Sequence, residues 1–334
     1  MSRVLRSAWL QRGPLACVLW PLSLLYGAIV ALHRFAWRSR LLARERVAVP
    51  VIVIGNVIAG GAGKTPVVMA VLQHLRVRGW SAGVVSRGHG RNMNDCRQAG
   101  PQNDARLVGD EPLLIAQSCS VPVFVAPQRA QAARELLRNY PSTDIIVSDD
   151  GLQHHRLHRD IEICVFDERG VGNGWLLPAG PLREPWPRKV ALVLRPAGVK
   201  GIDGFQIDRR LAGYARRCDG GTLELAALRD RPLVALAGIA KPEAFFRMLQ
   251  DEGLTLSQTI ALPDHHDFSA KLQLPPGCDL ICTEKDAVKL WRTHPQAWAV
   301  ALDLQIEASF WTALDAMLDR LPHRLSSRHG SETS

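Results

Sequence analysis

The segment "GNVIAGGAGKTP", residues 55–66, follows the apolar run "VPVIVI". Its residue types suit phosphate chemistry. Gly60, Gly61 and Gly63 let backbone N–H groups turn inward onto anionic oxygens at a helix N-terminus, with Ala62 in the same loop. Lys64 supplies a cation for β- and γ-phosphates, and Thr65 a hydroxyl for Mg²⁺. The usual pattern G-x-x-x-x-G-K-[ST] asks for glycine five residues before Gly63, where this chain has Ile58. Either the match is accidental, or the glycine requirement has moved to Gly60 and Gly61.

A second stretch, "DIIVSDDGLQHH" (144–155), reads as an apolar strand ending in two acids. Asp149 and Asp150 would then form a Walker-B type pair, since Mg²⁺ prefers hard oxygen ligands at a strand end near the phosphates. A solvated Asp-Asp-Gly turn is the plainer alternative, and leaves Gln153 and His154 as surface polar residues. "SRGHGR" (86–91) sets Arg87 and Arg91 among glycines, suited to a phosphate or to a flexible basic loop. "VGDEP" (108–112) puts Asp110 and Glu111 at a helix start, where capping is the simple reading. "LPAGPLREP" (177–185) is a rigid loop whose Arg183 and Glu184 either face a ligand or pair with each other. In "PDHHDF" (263–268) an acid and two histidines suggest metal, but a fourth ligand is missing. A base or orienting histidine fits better. "CTEKDAVKL" (282–290) stands out without a defined role.

These residues need a frame. Short apolar runs at 51–54, 82–87, 121–126, 144–149, 161–167 and 189–195 read as buried strands, with helical stretches at 65–79 and 110–120. Such alternation predicts an α/β fold, a mostly parallel sheet covered on both faces. From about Arg231 the pattern restarts, which predicts a smaller second α/β domain. The expected division is an N-terminal anchor over 1–48, a nucleotide-binding domain over 49–228, a C-terminal domain over 229–325 and a disordered tail over 326–334. The stretch from "RPAGVKGIDGF" onward is the weakest in pattern and is expected to connect the two domains.

Seven scattered cysteines without a C-x-x-C pair predict reduced thiols. Residues 1–48 hold eight arginines against Glu45, a net +7 of the chain's +9. The nearly neutral remainder lacks the footprint of a nucleic-acid binder. Between the arginines runs "GPLACVLWPLSLLYGAIVAL", Gly13 to Leu32, with no charged residue. As helix it covers about 30 Å, one hydrocarbon thickness. No small-residue cleavage pattern follows it, which argues against a signal peptide. A buried soluble helix is the remaining alternative to membrane attachment. Basic flanks on both sides leave spanning and interfacial geometries open.

Together, "GNVIAGGAGKTPVV", "VVSRGHGR", "GDEP", "SDDGLQHHRLHRD", "GNGWLLPAGPLREP", "GIAKPEAFF", "DHHDF" and "TEKDAVK" resemble the tetraacyldisaccharide 4′-kinases (lipid A 4′-kinases) of Gram-negative bacteria, over nearly the whole chain. That family's loop commonly lacks glycine at the position of Ile58, so the resemblance implies a genuine phosphate loop turning at Gly60 and Gly61. One departure is His89, where the family usually has tyrosine. The resemblance implies a P-loop NTPase-like fold and transfer of the γ-phosphoryl group of ATP, with Mg²⁺. The acceptor is the 4′-hydroxyl of a tetraacyl glucosamine disaccharide 1-phosphate, giving a lipid IV-A type product. It further implies inner-membrane lipids as partners, a body on the cytoplasmic side, and Asp110 paired with His265 as a catalytic dyad. Arg87, Gln153, His154, Arg183 and Glu184 are candidates for contact near the substrate. A ParA/MinD-like ATPase is the rival, but its loop K-G-G-x-G-K-[ST] needs lysine where Ala59 stands. A non-enzymatic membrane scaffold would not need Lys64, Thr65, Asp149 and Asp150 together.

Overall fold

Val51–Gly55 (β1) is buried along its whole length, as the unbroken apolar run requires of a central strand covered on both faces. Its alternate residues divide between two cores. Ile52 and Ile54 pack with Val67, Val71 and Leu75 of the helix Lys64–Val77. Val51 and Val53 pack with Ala130, Ala133 and Leu136 of the helix Arg129–Asn139. The computed structural model describes residues 8–39, 41–61, 63–268, 275 and 277–322. Ala62 of the phosphate loop and the expected tail lie outside the described residues.

In chain order the described helices are α1 (Pro14–Arg38), α2 (Lys64–Val77), α3 (Ala105–Val108), α4 (Asp110–Cys119), α5 (Arg129–Asn139), α6 (Pro242–Asp251), α7 (Glu284–Leu290) and α8 (Ala308–Leu318). The strands after β1 are β2 (Ala82–Ser86), β3 (Arg97–Ala99), β4 (Val123–Val125), β5 (Ile145–Asp149), β6 (Ile161–Val165) and β7 (Leu192–Arg195). They continue as β8 (Phe205–Arg216), β9 (Thr222–Glu224), β10 (Leu233–Ala237), β11 (Leu256–Ala261), β12 (Asp279–Thr283) and β13 (Trp298–Ile306). All belong to one sheet, ordered β11-β10-β12-β13-β8-β7-β6-β1-β5-β2-β4-β3, with β9 beside β8. The pairs are parallel except β3 with β4, β8 with β9 and β8 with β13.

β8 runs through the stretch expected to be a weakly patterned connection. Its start pairs with β7, and from Ile207 onward it pairs antiparallel with β13. Ile207, Leu211, Ala212 and Ala215 are buried, while Asp208, Arg209 and Arg210 interrupt the apolar signal. The two halves of the chain therefore share one hydrogen-bonded sheet. α8 also returns to the first half, where Phe310, Leu314 and Leu318 join the core of α2. His74 bonds Asp315 at 2.7 Å across the same contact.

α1 is long and apolar enough to cross a membrane, and only 11% of its most apolar window is buried. Most of that window is therefore not packed inside the body of this chain. Val18, Leu22, Leu25, Ile29 and Leu32 are exposed. The opposite face is tied to the loop 173–183. Ser23 Oγ donates to the carbonyl of Leu176 at 2.8 Å, and Tyr26 Oη to that of Arg183 at 3.0 Å.

Candidate active site

The phosphate loop leaves β1 and enters α2, as its sequence position requires. Gly60 (φ 92°) and Gly63 (φ 65°) occupy the left-handed region that glycine tolerates. Gly61 does not, which corrects the expected assignment of the turns to Gly60 and Gly61. A Cβ on Gly61 would meet that of Ala240 at 3.2 Å, so its missing side chain admits the second half of the chain. The loop is braced from outside. Ala59 N–H donates to Pro181 O and Arg183 N–H to Val57 O, each at 2.7 Å. Arg169, paired with Asp167 at 2.9 Å, donates to Ala59 O at 3.0 Å.

β5 delivers Asp149 and Asp150 beside this loop because it pairs with β1 in parallel, Ile54 opposite Asp149. Lys64 Nζ lies 3.5 Å from Asp150 Oδ1, and Arg183 Nη1 lies 3.4 Å from Asp150 Oδ2. Burial acts to raise the Asp150 carboxyl, but Lys64, Arg183 and Arg129 outweigh it and hold the group below its ordinary value. Asp149 goes the other way. Burial first, then the charges of Glu111 and Asp150, push it up to about 7. Among the described residues neither Asp149 Oδ1 nor Asp150 Oδ1 accepts a hydrogen bond. Two buried carboxylate oxygens that accept no hydrogen bond, one of them 3.5 Å from the Lys64 ammonium, fit a hard divalent cation, whose charge would favour both ionised forms. Asp150 also has a left-handed backbone (φ 46°), a cost accepted at functional sites more often than elsewhere.

Asp110 begins α4, but it does not cap it. The capping position is Gly109, and the Asp110 carboxylate turns instead toward the second half of the chain. Its Oδ2 lies 2.9 Å from His265 Nδ1 and 2.9 Å from Lys289 Nζ. Burial would raise this carboxyl, yet the hydrogen bonds from His265 and Lys289 and the charge of Lys289 hold it below its ordinary value. An ionised carboxylate only accepts, so His265 Nδ1 carries a hydrogen, and in the neutral ring Nε2 is then the acceptor. His265 also stands in the left-handed region (φ 66°), with its N–H on Gly238 O at 3.2 Å. His266 turns away and packs its ring edge-on to Phe268, 4.9 Å between centroids. His89 stacks edge-on to His265 at 5.4 Å.

A cleft between the two halves brings these groups together. Lys64, Thr65, Asp150, Arg183 and His265 line it, whereas Asp110 stands behind His265 and does not. Several candidates take other places. Arg183 and Glu184 do not pair with each other, because Glu184 bonds Arg188 at 3.1 Å. Gln153 donates to Asn56 O at 2.9 Å and so braces the loop's first residues. His154 keeps Nε2 buried without a partner among the described residues. Burial and the charges of Arg129, Arg159, Arg156 and Arg87 push it down to about 4. Arg87 is exposed after β2. Sequence reasoning missed Arg129, buried at the start of α5, which donates to Asp150 O at 2.7 Å. An arginine inside the small-residue run "RAQAA" is the only trace of it. It also missed Lys289, one turn after Lys285 in "TEKDAVK".

The family profile described as "Tetraacyldisaccharide-1-P 4'-kinase" matches residues 15–319. The chain belongs to this kinase family. The tetraacyldisaccharide 4′-kinase of Acidovorax sp. (strain JS42) is 57% identical over 326 residues, 96% of each chain. That of Polaromonas naphthalenivorans (strain CJ2) is 51% identical over 343 residues and matches the full length of both. The crystal structure of LpxK from Aquifex aeolicus in complex with ATP superposes with a TM-score of 0.80 at 25% identity, covering 91% of this chain and 99% of that one. The tetraacyldisaccharide 4′-kinase family and the P-loop type α/β fold are those the motifs led one to expect.

Proposed function

We propose that this chain transfers the γ-phosphoryl group of ATP to the 4′-hydroxyl of a tetraacyl glucosamine disaccharide 1-phosphate, using Mg²⁺. The observation that carries this reading is His265, which lines the same cleft as Lys64 and Thr65 and is backed by a buried carboxylate. A sugar hydroxyl is a weak nucleophile, and a positioned acceptor for its proton is useful even in a loose transition state. His265 Nε2 takes that proton as the hydroxyl oxygen bonds the γ-phosphorus and the bond to the β–γ bridging oxygen breaks. Asp110 holds the imidazole in the required form. Lys64 and the loop N–H groups stabilise charge on the transferred group. Thr65, Asp149 and Asp150 would hold the metal, which supplies charge neutralisation on the phosphate oxygens.

An acyl-bearing acceptor stays in a bilayer, and the exposed apolar face of α1 gives the body a way to reach it. We place the enzyme at the cytoplasmic face of the inner membrane, where ATP and such an acceptor meet. Because Ser23 and Tyr26, at the middle of α1, bond the polar body, we read the helix as lying in the interface. A membrane-bound ATPase of the ParA/MinD type would pass the γ-phosphoryl group to water instead of to a lipid hydroxyl. Labelled ATP with lipid acceptor in mixed micelles separates the two: label in the lipid supports the kinase, and release to water alone overturns it.

A further inference from the structure

α7 carries two lysines four residues apart, on one face of the helix. Lys285 reaches Asp264 at 3.3 Å and Glu111 at 3.7 Å. Lys289 reaches Asp110 at 2.9 Å, on the same oxygen that His265 contacts. Lys289 is 4% exposed and Asp110 7%, so this ion pair is formed away from water. Pairs of this kind contribute little net stability, because desolvation offsets the attraction. Its value lies in what it does to the neighbouring imidazole. A buried carboxyl without a cation takes a proton, and a protonated Asp110 could donate to His265 Nδ1. The hydrogen would then sit on Nε2, and the acceptor facing the cleft would be lost.

We infer that Lys289 is a positioning residue that keeps Asp110 an anion and so fixes the Nδ1–H form of His265, with Nε2 as the proton acceptor. The inference rests on the proposed role of His265. The charged and titratable groups facing that histidine are Asp110 from α4, Asp264 at 3.8 Å from Nε2, and His89 from the loop after β2. Lys285 neutralises Asp264, and Lys289 neutralises Asp110. The two lysines therefore leave the imidazole between two compensated carboxylates. The ammonium of Lys289 also lies 5.9 Å from the Phe268 ring, which walls it off on that side.

The test is Lys289→Met and Lys289→Arg in the full chain, assayed for phosphoryl transfer to the lipid acceptor. Lys289→Met should lower kcat by about tenfold or more while KM for ATP changes less than about twofold. The acidic limb of the kcat/KM profile should move up by about one pH unit, because Asp110 now binds a proton more readily. Lys289→Arg should restore the limb. Ring ¹⁵N spectra should place the His265 hydrogen on Nδ1 in the native chain and partly on Nε2 in Lys289→Met. A limb and tautomer unchanged in folded Lys289→Met overturn the inference. If Lys289→Met does not fold, Lys289→Gln gives the same readout with a donor retained. His265→Ala separates the two levels: full turnover there removes the base itself, whereas lost turnover with an unmoved Lys289→Met limb removes only Lys289's role.

Discussion

Tyr26, midway along the apolar helix, donates its hydroxyl to the carbonyl oxygen of Arg183 at 3.0 Å, and the guanidinium of that arginine lies 3.4 Å from Asp150. One residue thus touches both the apolar helix and the phosphate site. The same loop braces Ala59 through Pro181, so α1, the loop 173–183 and the phosphate loop form one connected layer. These bonds to the body are the basis for the proposed interfacial position of α1.

Nitroxide labels at Val18, Leu25 and Leu32 check this geometry. All three are exposed on one face of α1, and about 21 Å of helix separates the outer two. In anionic vesicles they should report similar shallow depths. A deep Leu25 between two shallow neighbours would mean a spanning helix. Removing residues 1–48 should move the protein to the soluble fraction and lower activity on bilayer-embedded acceptor.

Lys64→Ala should reduce turnover by about 10²–10³-fold with the melting temperature little changed, because a loop cation facing forming charge is lost. Asp149→Asn and Asp150→Asn keep shape and remove charge. Each should raise the Mg²⁺ concentration needed for half-maximal rate. Wild-type Mg²⁺ dependence in both variants would make these acids structural.

Asp110→Ala and His265→Ala should each lower turnover by orders of magnitude without a matching loss of ATP affinity. The double variant should be little worse than the poorer single, since groups acting as one unit are non-additive. Steady-state kinetics on all three variants decide it, and fully multiplicative losses would sink the pairing.

His155 predicts a pH dependence of stability. Burial first, then Arg159, Arg188, His33 and Arg44, push its imidazole from 6.5 down to about 3. Between those values the unfolded chain binds more protons, so this contribution is present above pH 6.5 and is lost as pH falls toward 3. Thermal melts of His155→Gln should fall less steeply with acid than those of the native chain. Parallel curves would assign the acid sensitivity to other groups.

The elements legible in the sequence are those whose cause is local. β1 and β5 read as unbroken apolar runs because both faces of a central parallel strand are covered. The phosphate loop reads from contiguous residues, because glycine conformations and a following Lys-Thr make the site within a few peptide units. The apolar stretch of α1 is likewise legible, since length and composition alone meet the hydrocarbon criterion. β8 was hidden because Asp208, Arg209 and Arg210 interrupt its apolar pattern, and only pairing with β7 and β13 makes that segment a strand. The close approach of Ala240 to Gly61 is a long-range contact, which no local rule contains.

Long-range contact decided the rest. Asp110 looks like a helix cap from its neighbours, and it became the partner of His265, 155 positions away, only because α4 faces the second half across the cleft. Lys289 lies still further along the chain and meets the same oxygen. The sequence by itself determined which chemistry was available, through residue types in the phosphate loop, the strand-end acids and the histidine motif. The tertiary structure alone decided which side chains share charge and hydrogens. Those interactions act over a few ångströms in space, and chain separation does not encode them.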